Sequence, residues 1–195
     1  MSVRALHKSE IPVAASSLAL AFDDDPLFCF LMPEPRSRLR WLRWFQALAL
    51  HEALALGGAF TLDEGPEKGA LALHPAGAWP LSLRHTIAAA SLPPGLPPYR
   101  LLTAGLHVEA RIRKLHPPDK HVYVQVLGVH PDSKGRGLGG TLLRHALAMA
   151  REAGCVTHLE TSNEVNLPFY RRFGFVVHEE ITSHAGPPVW TLTTP

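Results

Sequence analysis

The chain has few of the residues that mark extracellular, membrane or nucleic-acid proteins. Only two of its 195 residues are cysteine, Cys29 and Cys155, and they stand too far apart for a CxxC redox or metal motif. Both sit among apolar neighbours and read as reduced core residues of a cytoplasmic protein. No run of 18 apolar residues occurs, which argues against a membrane span. The first residues lack the charged, then apolar, then small pattern of a secretion signal. The formal charge is only +2, too small by itself to suggest a nucleic-acid partner. The 12 histidines are scattered, with no His-x-x-x-His and no His/Cys cluster, so no metal site is expected from spacing.

What the chain does have is glycine and positive charge in one place. Leu127 to Thr141 reads LGVHPDSKGRGLGGT, and four of its five glycines and its two cations stand together between an alternating segment and an amphipathic one. His121–His130 has strand periodicity. Val122, Val124 and Val126 are expected on one face, and Tyr123, Gln125, Leu127 and Val129 on the other. After the glycines, Leu142, Leu143, Ala146, Leu147 and Ala150 have helical spacing, and Gly154 is a suitable stop. A glycine-rich turn opening a helix offers backbone N–H groups and the positive end of the helix dipole, which suit a pyrophosphate. Gly135-x-Gly137-x-x-Gly140 also fits a dinucleotide-binding pattern, with Glu160 20 residues further on. Only about 55 residues follow the turn, too few for the rest of a doubly wound sheet. The alternating strand before it is also unlike a fully buried parallel strand.

Elsewhere the pattern predicts a short strand at Val3–Leu6, then a helix over Ser9–Phe22 with Ser9 as N-cap, ended by Asp23-Asp24-Asp25-Pro26. A second helix is expected over Arg36–Leu56, with Arg36, Arg40 and Arg43 on one face. Short strands at Ala59–Asp63 and Gly69–Leu73 follow. A helix at Leu81–Ala90 and a proline-rich stretch at 93–98 come next, then a helix carrying Leu101, Ala104, Val108, Ile112 and Leu115. Beyond the glycine turn come a strand at Val156–Thr161, a short helix at Asn166–Phe173, and strands at Phe175–Glu180 and Val189–Thr193. The length fits one domain, 1–195.

Lys134-Gly135-Arg136-Gly137-Leu138-Gly139 resembles the acetyl-CoA pyrophosphate loop of the GNAT N-acetyltransferase superfamily. About 30 residues on, Asn166-Leu167-Pro168-Phe169-Tyr170-Arg171-Arg172-Phe173-Gly174-Phe175 resembles that superfamily's second signature. The resemblance is tight over 122–177. It implies a mixed α/β fold with a mostly antiparallel, V-shaped sheet flanked by helices. An acceptor half would occupy about 1–118 and an acetyl-CoA half about 119–195.

By the same resemblance, amides from Gly135 to Thr141, including those of Gly137, Leu138, Gly139 and Gly140, would hold the pyrophosphate. Lys134 and Arg136 would add charge. The backbone of Leu127, Gly128 and Val129 would meet the pantetheine arm, with Gly128 marking a strand bulge. Asn166 would bond the pantetheine amides, or simply cap its helix. Phe169 would pack beside the cofactor, and Tyr170 would protonate the departing thiolate.

Histone-type members carry a base glutamate where this chain aligns Tyr123. The candidates here are Glu160 acting through water, His121 and Glu109, with Glu160 first; a carboxylate paired to an arginine at the surface is the plainer reading. The acidic run Asp23–Asp25 suits a cationic amine or merely a solvated helix end. Trp79 and Tyr99 suit an acceptor wall or the packing of an inserted helix. The resemblance therefore implies direct transfer from acetyl-CoA to an amine, a small molecule by preference, without a metal. Arg36, Arg40 and Arg43 suit the interface of a homodimer or, more economically, an exposed basic helix face. The alternative is a non-catalytic acyl-CoA-binding module.

Overall fold

The structure, a computed structural model, describes residues 2–78, 93–182 and 186–195. Strands β1 (Val3–Ala5), β2 (Ala59–Leu62), β3 (Gly69–His74), β4 (His121–Val129), β5 (Val156–Thr161), β6 (Val176–Ile181) and β7 (Val189–Thr193) form one sheet in the order β1-β2-β3-β4-β5-β7-β6. Every neighbouring pair is antiparallel except β4 and β5. The described helices are α1 (Ile11–Ala21), α2 (Pro26–Leu31), α3 (Pro35–Ala55), α4 (Leu106–Leu115), α5 (Leu138–Glu152) and α6 (Leu167–Arg171).

The two sheet faces are packed by different logic. On one, α5 lays Leu138, Leu142, Leu143, Ala146 and Ala150 onto Leu71, Leu73, Val122, Val124, Leu159 and Leu192. Its stop is Gly154 at φ +64°, a backbone angle that favours glycine. On the other, α1 and α3 bring Ile11, Ala14, Leu18, Leu50 and Ala53 against Ala59, Ala70 and Ala72. The small strand residues let α1 approach closely. Gly128 extends that surface: a Cβ there would stand 2.7 Å from Leu18 Cδ2 and 3.2 Å from Phe22 Cε2.

Strand β4 departs from simple alternation. Ala72 pairs with Val126, but the next residue, Leu73, pairs with Val124, so Gln125 is an extra residue in the ladder. The bulge reverses the inside–outside order. Val122 and Val124 face α5, Val126 faces α1, and Leu127 and Val129 return to the α5 side. Val126 therefore does not share the face of Val122 and Val124, and Leu127 and Val129 do not share that of Tyr123. Gly128 is not the bulge; its glycine is required by α1 packing.

Other boundaries shift for local reasons. Ser9 lies in a 3-10 turn at Lys8–Glu10, and the helix starts at Ile11 with Pro12 in its first turn, where a missing N–H costs little. The Asp23–Asp25 run does not simply end α1. Asp25 Oδ1 accepts from the Leu27 and Phe28 amides and starts α2, a helix absent from the periodicity reading. Glu34 caps α3 in the same way. The helix over Leu101–Leu115 is present as a π turn at Leu101–Gly105 continuing into α4. Cys29 and Cys155 are half-buried free thiols rather than fully buried ones. The helix expected at Leu81–Ala90, and Trp79, lie outside the described residues.

Candidate active site

The parallel ladder between β4 and β5 runs from His121↔Val156 to Val124↔Leu159. Beyond it each strand pairs on its outer side, β4 with β3 as far as Gly69↔Val129 and β5 with β7 as far as Thr161↔Trp190. The two strands thus part at the bulge, and the sheet opens into a V.

The glycine loop stands at one lip of that opening. Gly135 and Gly137 take φ of +79° and +78°, and Gly137 occupies the N-cap of α5 without a side-chain cap. The first-turn amides of α5 have no acceptor of their own within the helix, which suits an anion there. Leu138 turns its side chain into the core, so only its amide is available to a ligand. Thr141 Oγ1 donates to Gly137 O at 3.4 Å and accepts from Arg144. Lys134 is exposed, whereas Arg136 is tied to Glu64 at 2.8 Å.

Several residues predicted for the cofactor come together here. A Cβ on Gly139 would lie 3.7 Å from Phe169 Cζ, 3.7 Å from Val129 Cγ2 and 3.8 Å from Leu127 Cδ2. Gly140 closes against Phe173, whose Cζ would be 3.0 Å from an added Cβ. Asn166 begins α6 but does not cap it; its Nδ2 donates to Thr161 Oγ1 at 3.3 Å, linking α6 to the end of β5. Tyr170 is buried between Phe169 and Phe175. Burial, followed by the charges of Asp25 and Glu160, raises its phenol to about 12.

Asp25 is a functional candidate only partly visible in sequence. It is buried and accepts from Ser162 Oγ at 2.6 Å, joining the start of α2 to the end of β5. Desolvation raises its carboxyl above the usual value, against the hydrogen bonds from Ser162 and the α2 amides. The signal was Asp followed by Pro, an N-cap pattern easily read as a helix stop.

On the sheet face opposite α5, a polar cluster sits where the strands part. Leu159 points into the α5 core, so His158 and Glu160 point the other way, beside Tyr123 and His74. Tyr123 Oη donates to Glu160 Oε2 at 2.9 Å, and His158 Nε2 lies 2.9 Å from Glu160 Oε1. Glu160 is therefore not held by an arginine. Burial first, then the Glu160 charge, pushes the Tyr123 phenol well above 10, so it stays a neutral donor. The other candidate bases fare differently. Glu109 is an exposed partner of Arg113 on its own helix, and His121 is buried with Nδ1 donating to Asp119 O at 2.8 Å.

The scattered histidines are not scattered in space. His74, His116, His121 and His158 come from β3, the end of α4, β4 and β5 and gather around Tyr123 and Glu160. No spacing rule could show this, because parallel strand pairing and a helix end bring them together. Tyr99, in contrast, is exposed, and Arg36, Arg40 and Arg43 line an open surface hollow with Glu34 and Leu39. No helix among the described residues is long and apolar enough to cross a membrane.

Residues 105–175 match the Acetyltransferase (GNAT) family. Along its whole length the chain shares its fold with acetyltransferase structures. The chain is 35% identical over 57 residues to glucosamine 6-phosphate N-acetyltransferase of Trypanosoma brucei brucei, covering 29% of this chain and 39% of that protein. It is 36% identical over 61 residues to the L-amino acid N-acyltransferase MnaT of Escherichia coli, covering 30% and 36%. The chain thus spans well under half the length of these curated relatives. In fold, a histone acetyltransferase HPA2-related protein of Corynebacterium glutamicum superposes with a TM-score of 0.68 at 22% identity, over 100% of this chain and 95% of that one. Arylalkylamine N-acetyltransferase 2 of Aedes aegypti superposes with a TM-score of 0.64 at 12% identity, over 98% and 97%.

Proposed function

We propose that this chain transfers an acetyl group from acetyl-CoA to the nitrogen of a small-molecule amine, by direct attack in a ternary complex. The observation that carries the reading is the parting of β4 and β5 directly beside a glycine loop that ends on a helix N-terminus. One feature offers strand backbone to a pantetheine arm, the other amides to a pyrophosphate. Relatives named for glucosamine 6-phosphate and for L-amino acids support a small acceptor.

In this reading the amides from Gly135 to Gly140 bind the pyrophosphate, the Thr141 amide being taken by Gly137 O at 3.1 Å, and Lys134 supplies charge. Arg136 contributes by sharing or leaving Glu64. The backbone of Leu127, Gly128 and Val129 holds pantetheine, Phe169 lines its path, and Asn166 bonds to it from the start of α6. Glu160 accepts the proton leaving the amine through water, with Tyr123 and His158 fixing the carboxylate. The amine attacks the thioester carbon, the C–S bond breaks, and Tyr170 donates its proton to sulfur.

The ordinary pKa values of a phenol and a thiol are about 10 and 8.5, close enough for nearly balanced transfer. Burial moves Tyr170 to about 12, so its proton passes only as charge builds on sulfur. The same dry surroundings raise the demand of the thiolate for a proton.

The test combines thermal unfolding with a turnover assay. Acetyl-CoA at 100 times its dissociation constant should stabilise by about 2.7 kcal/mol, whereas NAD and NADP should have no effect. Thiol release with an amine panel should then fall about 10²–10⁴-fold in Tyr170→Phe while acetyl-CoA binding persists. Stabilisation by NAD(P) alone would overturn the reading. Binding of acetyl-CoA without turnover of any amine would reduce the protein to an acyl-CoA-binding module.

A further inference from the structure

His116, His158 and Glu160 lie at the heart of the polar cluster, and their geometry asks more of them than a hydrogen-bond network. His158 Nε2 is 2.9 Å from Glu160 Oε1, His116 Nε2 is 3.7 Å from the same oxygen, and all three ligand atoms lie within 4.8 Å of one another. Donors around a tetrahedral zinc, with bonds of about 2.0–2.1 Å, stand roughly 3.4 Å apart. The observed spacings straddle that value.

The outer partners fix the ring orientations. His121 Nδ1 donates to the Asp119 carbonyl, so neutral His121 presents Nε2 as an acceptor. His116 Nδ1 lies 3.1 Å from that nitrogen and must donate to it, which leaves the His116 lone pair on Nε2, the side facing Glu160. His158 Nδ1 lies 3.1 Å from Thr193 Oγ1, a partner able to accept when Nε2 is taken. Tyr123 holds the other oxygen of Glu160. Metal-binding histidines usually donate their second ring N–H to such a partner. Of the three, His116 also lines a surface hollow of about 410 Å³, with His121, Asp119, Arg113 and Lys120.

We propose that His116 Nε2, His158 Nε2 and Glu160 Oε1 bind one divalent transition-metal ion of the zinc class. Two imidazoles and one carboxylate are a borderline donor set that suits zinc or cobalt(II) rather than magnesium or calcium. On binding, the proton of His158 moves from Nε2 to Nδ1 and is donated to Thr193, so the imidazole stays neutral. The ion occupies the Glu160 oxygen that faces the histidines, so metal loading and proton acceptance at that oxygen exclude each other. The site does not depend on acetyl transfer.

The test uses the full chain stripped with a chelator and titrated with cobalt(II). The expected result is one ion per chain, with the intense visible band of four-coordinate cobalt(II). His116→Phe and Glu160→Gln should each weaken uptake at least tenfold. Thr193→Val, which keeps all three ligands, should weaken it about tenfold. Absence of uptake, or uptake of equal strength in all the variants, would overturn the site. If the ligand variants do not fold, zinc-induced thermal stabilisation of the wild type and Thr193→Val decides. A smaller shift in the variant supports the site, and an equal shift overturns it. Thiol release is measured separately, so a failed metal titration leaves the acetyltransferase reading standing.

Discussion

Replacing Gly128 with alanine probes the joint between the helix α1 and the parted half of β4. The added Cβ would lie 2.7 Å from Leu18 Cδ2, 3.2 Å from Phe22 Cε2 and 3.3 Å from Ala21 Cβ. Ordinary contact begins near 3.4 Å, so Leu18 must give way by about 0.7 Å. Leu18 is fully buried among Ile11, Ala14, Leu50 and Ala70, with no open side to move into. Overpacking of this kind costs about 1–3 kcal/mol. For a chain of this size each kcal/mol lowers the unfolding midpoint by about 2–4 °C, so the expected loss is about 2–12 °C. The strand backbone proposed to hold pantetheine is displaced at the same time, so acetyl-CoA affinity should fall as well. Calorimetric unfolding and titration calorimetry read both effects. An unchanged midpoint would refute the close packing of α1 on Gly128. A lowered midpoint with unchanged acetyl-CoA affinity would remove Leu127–Val129 from the cofactor path.

Gly139→Ala should separate binding from stability. Its Cβ meets neighbours at 3.7–3.8 Å, and alanine favours a helix by about 1 kcal/mol over glycine, so the midpoint should hold or rise. Crowding of the phosphate amides should weaken acetyl-CoA roughly 10–100-fold, the loss of one charged hydrogen bond. Asp25→Ala should destabilise by about 1–2 kcal/mol through the lost cap of α2, measured by denaturant unfolding. Asp25→Asn keeps the acceptor oxygen and sheds the buried charge. The folded carboxyl of Asp25 is raised, so its favourable contribution is present below 3.8 and lost as pH rises through the folded value. The asparagine variant should therefore gain on the wild type as pH rises from about 4, which midpoints measured across pH will show. Glu10 runs the opposite way. Arg4 and the His7 amide lower it to about 2, so its contribution is complete above 4.5 and fades towards pH 2. This pair is partly exposed and screened by solvent, so its contribution is small, read by the acid limb of Arg4→Met.

The sequence carried the chain order of the elements, because the hydrophobic period changes from two to 3.6 at the glycine loop and Gly154 ends the helix that follows. The half proposed to hold the cofactor was legible for the same reason: contiguous residues form it, and Leu127, Val129, Gly139 and Phe169 do converge. What escaped were effects set by partners. The bulge at Gln125 is invisible within β4 because it is defined by the register against β3. The short α2 was hidden because six residues are too few for a period to show. The histidine cluster was hidden because its members lie on four separate elements, so spacing along the chain carried no trace of it.

The bulge connects these points. Before Gln125, β4 turns Tyr123 toward Glu160 and the histidines while Val122 and Val124 pack on α5. An unbroken strand would have kept Leu127 and Val129 on the Tyr123 face, buried beneath the α1 side with the polar cluster. One inserted residue returns them to the α5 side, next to Gly139 and Phe169. The extra residue is itself anchored, since Gln125 Nε2 donates to the buried Glu52 of α3 at 3.1 Å. A single strand can then present its first half to the polar cluster and its second half to the glycine loop. The ladder to β5 ends at that switch because the backbone beyond it has turned away. Deleting Gln125 should therefore do more than shorten a strand. It should swap the faces of every residue on one side of the deletion, and no compensating side chain elsewhere can restore both halves at once.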